Sequence, residues 1–189
     1  MKPLKDIYWV SINKEIESTI ELNGTKLYLD STYDPMRHAR QYGEVVEVPA
    51  RDTQGLDIKK GDKVWFHHFV PDPSNLIDLI EDDNVYQAYN NQIYARERGG
   101  EVMTVGHWNL IRQEIAEEVT TDSGIFLESA GKDVLLHGET IFPSEGLKSQ
   151  GVDVGDRVLF SKSSEYDMDI NGETLLRMRD VDILAKYEE

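Results

Sequence analysis

The residues that could do chemistry are few, and their spacing suits little of it. His67-His68 is the one pair of adjacent histidines, with His107 at a distance. Neighbouring side chains on a strand point to opposite faces, so such a pair would chelate a metal poorly. Glu81-Asp82-Asp83 puts three carboxylates in a row but lacks the glycine and the spacing of a Ca²⁺ loop. Cysteine is absent, which removes disulfides, thiolate ligands and a thiol nucleophile together. No Gly-x-x-x-x-Gly-Lys-(Ser/Thr), Gly-x-Gly-x-x-Gly or Gly-x-Ser-x-Gly occurs. The expectation is a binding protein that is not an enzyme and carries no cofactor or metal.

Charge narrows the partner. Thirty-six Asp and Glu against 20 Lys and Arg give a formal charge of −16. A phosphate backbone or an anionic bilayer rewards clustered cations, so neither nucleic acid nor membrane is expected. The opening Met1-Lys2-Pro3-Leu4-Lys5-Asp6 has no apolar core of a signal peptide, and no apolar run approaches the ~18 residues of a membrane span. These features predict a cytoplasmic protein. A hydrophobic fraction of 39% with 30% charged residues predicts a folded chain.

The elements that must position any binding residues read as strands. Ile7-Tyr8-Trp9-Val10-Ser11-Ile12, Lys26-Leu27-Tyr28-Leu29, Glu44-Val45-Val46-Glu47-Val48, Lys63-Val64-Trp65-Phe66 and Gln92-Ile93-Tyr94-Ala95 are short, β-branched or aromatic runs. Val134-Leu135-Leu136, Thr140-Ile141-Phe142, Arg157-Val158-Leu159-Phe160 and Thr174-Leu175-Leu176-Arg177-Met178 continue the pattern. Gly, Pro, Asn and Asp separate them, as in all-β barrels and sandwiches. Only residues 72–82 and 108–118 offer themselves as helices, and neither has a long amphipathic stripe.

One phrase occurs twice. Gly43-Glu44-Val45-Val46 is followed by Asp57-Ile58 and Gly61-Asp62-Lys63-Val64-Trp65-Phe66; Gly138-Glu139-Thr140-Ile141 is followed by Asp153-Val154 and Gly155-Asp156-Arg157-Val158-Leu159-Phe160. The intervals match: 18 residues from Gly43 to Gly61, 17 from Gly138 to Gly155. Gly-Asp before an apolar strand predicts a tight turn, because Gly accepts a positive φ and Asp bonds nearby backbone. Val-x-Phe then sets Val64 and Phe66, or Val158 and Phe160, on one buried face. Gly100-Glu101 and Gly172-Glu173 open what read as matching closing segments. Two copies of one domain are expected, residues 1–113 and 114–189.

These residues resemble the GroES-type co-chaperonin family, in which a first strand and a mobile loop precede a Gly-Glu-Val strand and Val-x-x-Gly-Asp-x-Val-x-Phe. The ending Asp182-Ile183-Leu184-Ala185 and the opening Lys2-Pro3-Leu4-Lys5-Asp6 are similar to the family as well. The resemblance covers nearly the whole chain, better in residues 115–189. Divergence on this scale is similar to that of phage-encoded members. It implies an all-β fold of two tandem GroES-like antiparallel β-barrels. It also implies a homo-oligomeric ring that binds a GroEL-type chaperonin over a non-native client protein.

The family's contact is an apolar tripeptide in the mobile loop. Here the loop falls at about residues 119–133, and Gly124-Ile125-Phe126-Leu127 takes the place of the family's Gly-Ile-Val-Leu. By resemblance, Ile125, Phe126 and Leu127 enter the chaperonin groove, with Phe126 where the family has Val. Leu27, Tyr28 and Leu29 stand in the analogous place of the first copy, as a second anchor or as a structural strand. The physics is coherent by itself. Ile, Phe and Leu in a loop bounded by Thr, Asp, Ser and Gly would expose apolar area. Burying each contributes roughly 1.5–3 kcal/mol, offset by ordering the loop, and a ring multiplies weak contacts. The alternative places Ile125 and Leu127 in a core strand.

The two copies differ in one interval. From Phe66 to Gly100 lie 33 residues, 67–99, against 11, 161–171, from Phe160 to Gly172. The excess at about 67–99 is expected to be an enlarged roof-like insertion or a solvated loop. A functional alternative accompanies it: a β-barrel structural or assembly protein that kept the GroES-like fold but not chaperonin binding.

Overall fold

Two short sequences turn as their glycines require and set the frame of each half. Gly61 and Gly155 sit at φ +87° and +89°, and the aspartates after them accept hydrogen bonds from the amides of Lys59 and Asp153, both at 2.7 Å. A computed structural model of the chain describes residues 1–12, 19–22, 25–28, 40–78, 84–114, 136–161 and 166–187. It forms two units, Met1–Gly106 and His107–Glu189.

The first unit holds β1 (Ile7–Ser11), β2 (Thr19–Leu22), β3 (Thr25–Tyr28), β4 (Tyr42–Glu47), β5 (Lys63–Phe66), β6 (Val85–Tyr89), β7 (Ile93–Arg98) and β8 (Glu101–Thr104). Six of these form an antiparallel sheet in the order β6-β1-β4-β5-β7-β8, and β2 and β3 pair as a separate hairpin. The second unit holds β9 (Trp108–Gln113), β10 (His137–Phe142), helix α1 (Glu145–Ser149), β11 (Arg157–Phe160), β12 (Tyr166–Ile170), β13 (Glu173–Arg179) and β14 (Ile183–Lys186). Its sheet runs β12-β13-β9-β10-β11-β14. The all-β, two-barrel class read from the sequence is the architecture adopted.

The duplication extends to register. Val10 faces Val45 and Tyr86; Ile111 faces Thr140 and Leu176. A bulge follows at the same place, skipping Val46 in β4 and Ile141 in β10. Val64 and Phe66 are fully buried in the first core, Val158 and Phe160 in the second. Trp65, on the opposite face of β5, is buried as well, with Lys63 over its ring. Core volume is traded between partners in register: Tyr86 and Ala88 in one unit correspond to Leu176 and Met178 in the other. Swaps that conserve total volume are the ones a packed core tolerates.

Register also revises the reading of residues 67–99. They are not an insertion. β6 lies on β1 as β13 lies on β9, and a 3-10 turn (Asn90–Gln92 or Asp180–Asp182) then leads into β7 or β14. The two turns are held alike: Gln92 accepts from the Tyr89 amide at 2.9 Å, Asp182 from the Arg179 amide at 3.1 Å. The true excess is small, residues 67–84 against 161–174, or 18 against 14. Gly100-Glu101 therefore has no counterpart in Gly172-Glu173. It opens β8, an added strand on the outer edge of β7.

Three further expectations shift. Residues 72–82 contain no α-helix among the described positions, only a 3-10 turn at Pro73–Asn75 capped by Asp72. Trp108–Gln113 is strand rather than helix, paired on both sides. Because that strand belongs to the second sheet, the chain parts at Gly106, ahead of the join expected at 113/114.

Candidate functional site: the loop rims

In each unit a long stretch of sequence separates two neighbouring strands at the same point of the sheet. In the second unit the chain leaves at Glu114 after β9 and returns at Leu136 into β10. These strands are antiparallel neighbours, and the Glu114 amide donates to the His137 carbonyl at 3.1 Å. The first unit leaves after β1 and returns into β4, again antiparallel neighbours. Both stretches thus start and end on neighbouring strands.

The glycines that open the return strands explain how the strands come so close. A Cβ on Gly43 would lie 2.4 Å from the Ser11 carbonyl oxygen, and one on Gly138 would lie 2.3 Å from that of Arg112. No side chain fits between them.

Polar and aromatic groups then tie each rim. In the second unit the Glu114 carboxylate takes two hydrogen bonds from the Arg157 guanidinium, and His137 Nε2 lies 3.2 Å from one of its oxygens. Tyr187 closes the set: its hydroxyl is 3.1 Å from His137 Nδ1, and Arg157 lies over its ring at 5.1 Å. The hydrogen bonds from Arg157 hold Glu114 below the usual carboxylate range. In the first unit, Lys63 sits over the rings of Tyr42 (4.8 Å) and Trp65 (4.5 Å), with Glu97 3.8 Å away. Arg40 adds a second cation over Tyr42, and a cleft of about 340 Å³ opens between Arg40, Glu44, Gly61 and Lys63.

The second rim carries a pH signature. A carboxylate whose folded pKa is depressed adds stability above its unfolded pKa, and that stability is lost as pH falls through the folded value. Glu114→Gln is therefore expected to flatten the acid limb of the second unit's stability curve, read by denaturant unfolding between pH 3 and 6. An unchanged limb would remove Glu114 from the rim.

The residues singled out in the sequence fall as follows. Ile125, Phe126 and Leu127 lie outside the described residues, as does Leu29. Leu27 and Tyr28 lie in β3, opposite Ile20 and Thr19 of β2. Residues 25–28 thus pair in a two-stranded sheet separate from the six-stranded one. His67 and His68 follow β5 rather than lying in it, and their rings stack at 4.1 Å instead of pointing to opposite faces. His107 is bound to Asp180 at 3.1 Å. Among the described residues, no three His, Asp or Glu side chains are grouped to hold a metal. Glu114, His137, Arg157 and Tyr187 escaped the sequence reading; only the position of His137 beside the repeated Gly-Glu hinted at a role.

Known proteins match part of this chain. A family model described as the Chaperonin 10 Kd subunit matches residues 101–187. The co-chaperonin GroES of Pelobacter propionicus is 34% identical over 89 residues, which is 43% of this chain and 94% of that protein. GroES of Geotalea uraniireducens is 32% identical over 87 residues (42% and 91%), and that of Acinetobacter baumannii 33% over 88 (43% and 92%). The chain belongs to the GroES-type co-chaperonin family. In this co-chaperonin the matched stretch takes in the whole second sheet and the rim of its loop. The first unit shares its strand register with the second.

Proposed function

We propose that this chain is a co-chaperonin that caps a GroEL-type chaperonin ring and assists ATP-dependent folding of a non-native client. The observation that carries the reading is the family model over residues 101–187, which takes in the whole second sheet, beside GroES proteins matched over more than nine-tenths of their own length. Ile125, Phe126 and Leu127 are the anchors, inserted together into an apolar groove of the chaperonin. Leu27, Tyr28 and Leu29 form a second set in the first unit. The chain does no catalysis; the chaperonin hydrolyses ATP. Each loop binds weakly because ordering it offsets much of the apolar gain, and a homo-oligomeric ring makes the sum firm yet releasable. Its setting is the cytoplasm, and no helix among the described residues is long and apolar enough to cross a membrane.

The test is nucleotide-dependent co-sedimentation with a GroEL-type chaperonin, comparing wild type with Ile125→Ser/Leu127→Ser. Loss of two buried anchors per loop is expected to abolish pelleting while leaving the circular dichroism spectrum unchanged. Binding that survives moves the anchor to Leu27, Tyr28 and Leu29. No binding by wild type, even to a cognate chaperonin, favours a barrel that serves in structure or assembly.

A further inference from the structure

The two rims match in register, and one of them lacks a carboxylate at a matched position. Lys63 faces Glu44 on one side and Glu97 on the other. Arg157 likewise faces Glu139, while its carbonyl accepts from the Tyr187 amide at 2.9 Å. Tyr42 lies opposite Trp65 as His137 lies opposite Leu159, and Ser11 opposite Glu44 as Arg112 opposite Glu139. Counting on two residues from Ser11 and Arg112 matches position 13 with Glu114. The sequence has asparagine at 13, an amide where the second unit has an acid.

In the second unit that acid is what Arg157 holds: two guanidinium bonds end on the Glu114 carboxylate, with His137 beside it. The first unit keeps the cations. Lys63, in the place of Arg157, lies over the Tyr42 and Trp65 rings, with Glu97 at 3.8 Å. Arg40 lies over Tyr42 at 5.7 Å and brings the planar fork that suits a carboxylate. Ser11 stands where the second unit has the long Arg112, and the smaller side chain leaves the cleft of about 340 Å³ open beside these cations. We propose that this cleft binds a carboxylate from outside the chain, in the role that Glu114 fills within the second unit.

The lining selects an acid with a short stem. Among the described residues around the cleft, Arg40 and Lys63 are cations and Glu44 is the one carboxylate, so positive charge prevails. An acid placed between an ammonium and a guanidinium accepts charge-assisted hydrogen bonds, roughly twice as strong as neutral ones. The volume falls at the lower end of small-molecule sites, roughly 300–1,000 Å³. That is more than a bare carboxylate fills, so the methylenes of an aspartate or glutamate side chain, or of a small free acid, enter with it. The Lys63 side chain is 36% exposed, so water competes for it and a single carboxylate is expected to bind in the millimolar range.

The site asks nothing of a chaperonin, so it stands or falls apart from the co-chaperonin reading. Saturation-transfer NMR on the ligand signals suits weak binding to the full chain, at ionic strength held constant with chloride. Propionate and an end-capped Gly-Glu-Gly peptide are expected to bind saturably, and propionamide and the Gly-Gln-Gly peptide are not. Lys63→Met and Arg40→Gln are each expected to weaken propionate by about tenfold or more, with an unchanged circular dichroism spectrum. A peptide that binds more tightly than propionate assigns the carboxylate to a partner protein; one that binds no better assigns it to a small free acid. A second measurement needs neither variant. Glu114→Ala vacates the matched place beside Arg157, so propionate is expected to raise its unfolding midpoint more than that of wild type. Four results would overturn the proposal: no saturable binding, propionamide equal to propionate, a folded Lys63→Met that binds like wild type, or a Glu114→Ala midpoint that gains nothing over wild type.

Discussion

Gly138→Ala is expected to destabilise the second unit by about 1–3 kcal/mol, the cost of forcing a methyl group into a packed contact. The obstruction is backbone. A Cβ would stand 2.3 Å from the Arg112 carbonyl oxygen and 2.8 Å from a methyl of Ile111, and the carbonyl cannot swing aside without breaking the β9–β10 ladder. Gly43→Ala is expected to act likewise on the first unit, where the Ser11 carbonyl oxygen lies 2.4 Å away. Gly151→Ala is the comparison. Open space surrounds that position, and only its φ of +85° opposes a side chain, at roughly 1 kcal/mol. Guanidinium unfolding followed by fluorescence separates the cases. If Gly138→Ala and Gly151→Ala cost the same, close strand approach is not why glycine stands there.

The second large effect is expected at Asp62. Its buried carboxylate accepts from the Lys59 amide (2.7 Å) and from Arg98 Nε (2.8 Å) and Nη2 (2.7 Å), fastening the turn before β5 to the end of β7. Asp62→Ala strands those donors and is expected to lower stability by about 2–3 kcal/mol, the range for hydrogen bonds to a charged group. Burial alone would raise the Asp62 pKa, but the bonds from Arg98 and Lys59 outweigh it and hold the carboxyl below its ordinary value. A depressed folded pKa gives stability that is full above the unfolded value, near 4, and is lost as pH falls through the folded one. Asp62→Asn is thus expected to be least stable relative to wild type at neutral pH and to converge on it in acid. A gap that does not change with pH would mean the ion pair is not the cause. Asp156, the partner of Asp62 in register, makes the same turn but meets Lys186 at a more exposed site, so a smaller change is expected there.

The strands and the repeated turn were legible because their signals are local. Gly61-Asp62 and Gly155-Asp156 need a positive φ and a capping carboxylate, and both requirements are written in adjacent residues. The loop rims were not legible. Glu114, His137, Arg157 and Tyr187 come from four separate parts of the chain and meet only because β10 and β11 pair and the chain end follows β14. The recurring Gly-Glu at 100–101 and 172–173 misled, since a dipeptide marks a turn without saying which strand follows it.

By itself, then, the sequence determined an all-β chain built twice from one barrel, with an acidic surface and an apolar tripeptide between the first two strands of the second copy. Turn chemistry and two-residue alternation act over a few bonds, so they can be read without a fold. Only the tertiary structure decided which segments are true counterparts. Pairing register matched residues 85–95 with 175–185, dissolved the expected insertion, and set β8 on an edge that β14 leaves bare. Those facts depend on hydrogen bonds between strands far apart in the chain, where a slip of one residue would turn every side chain to the opposite face.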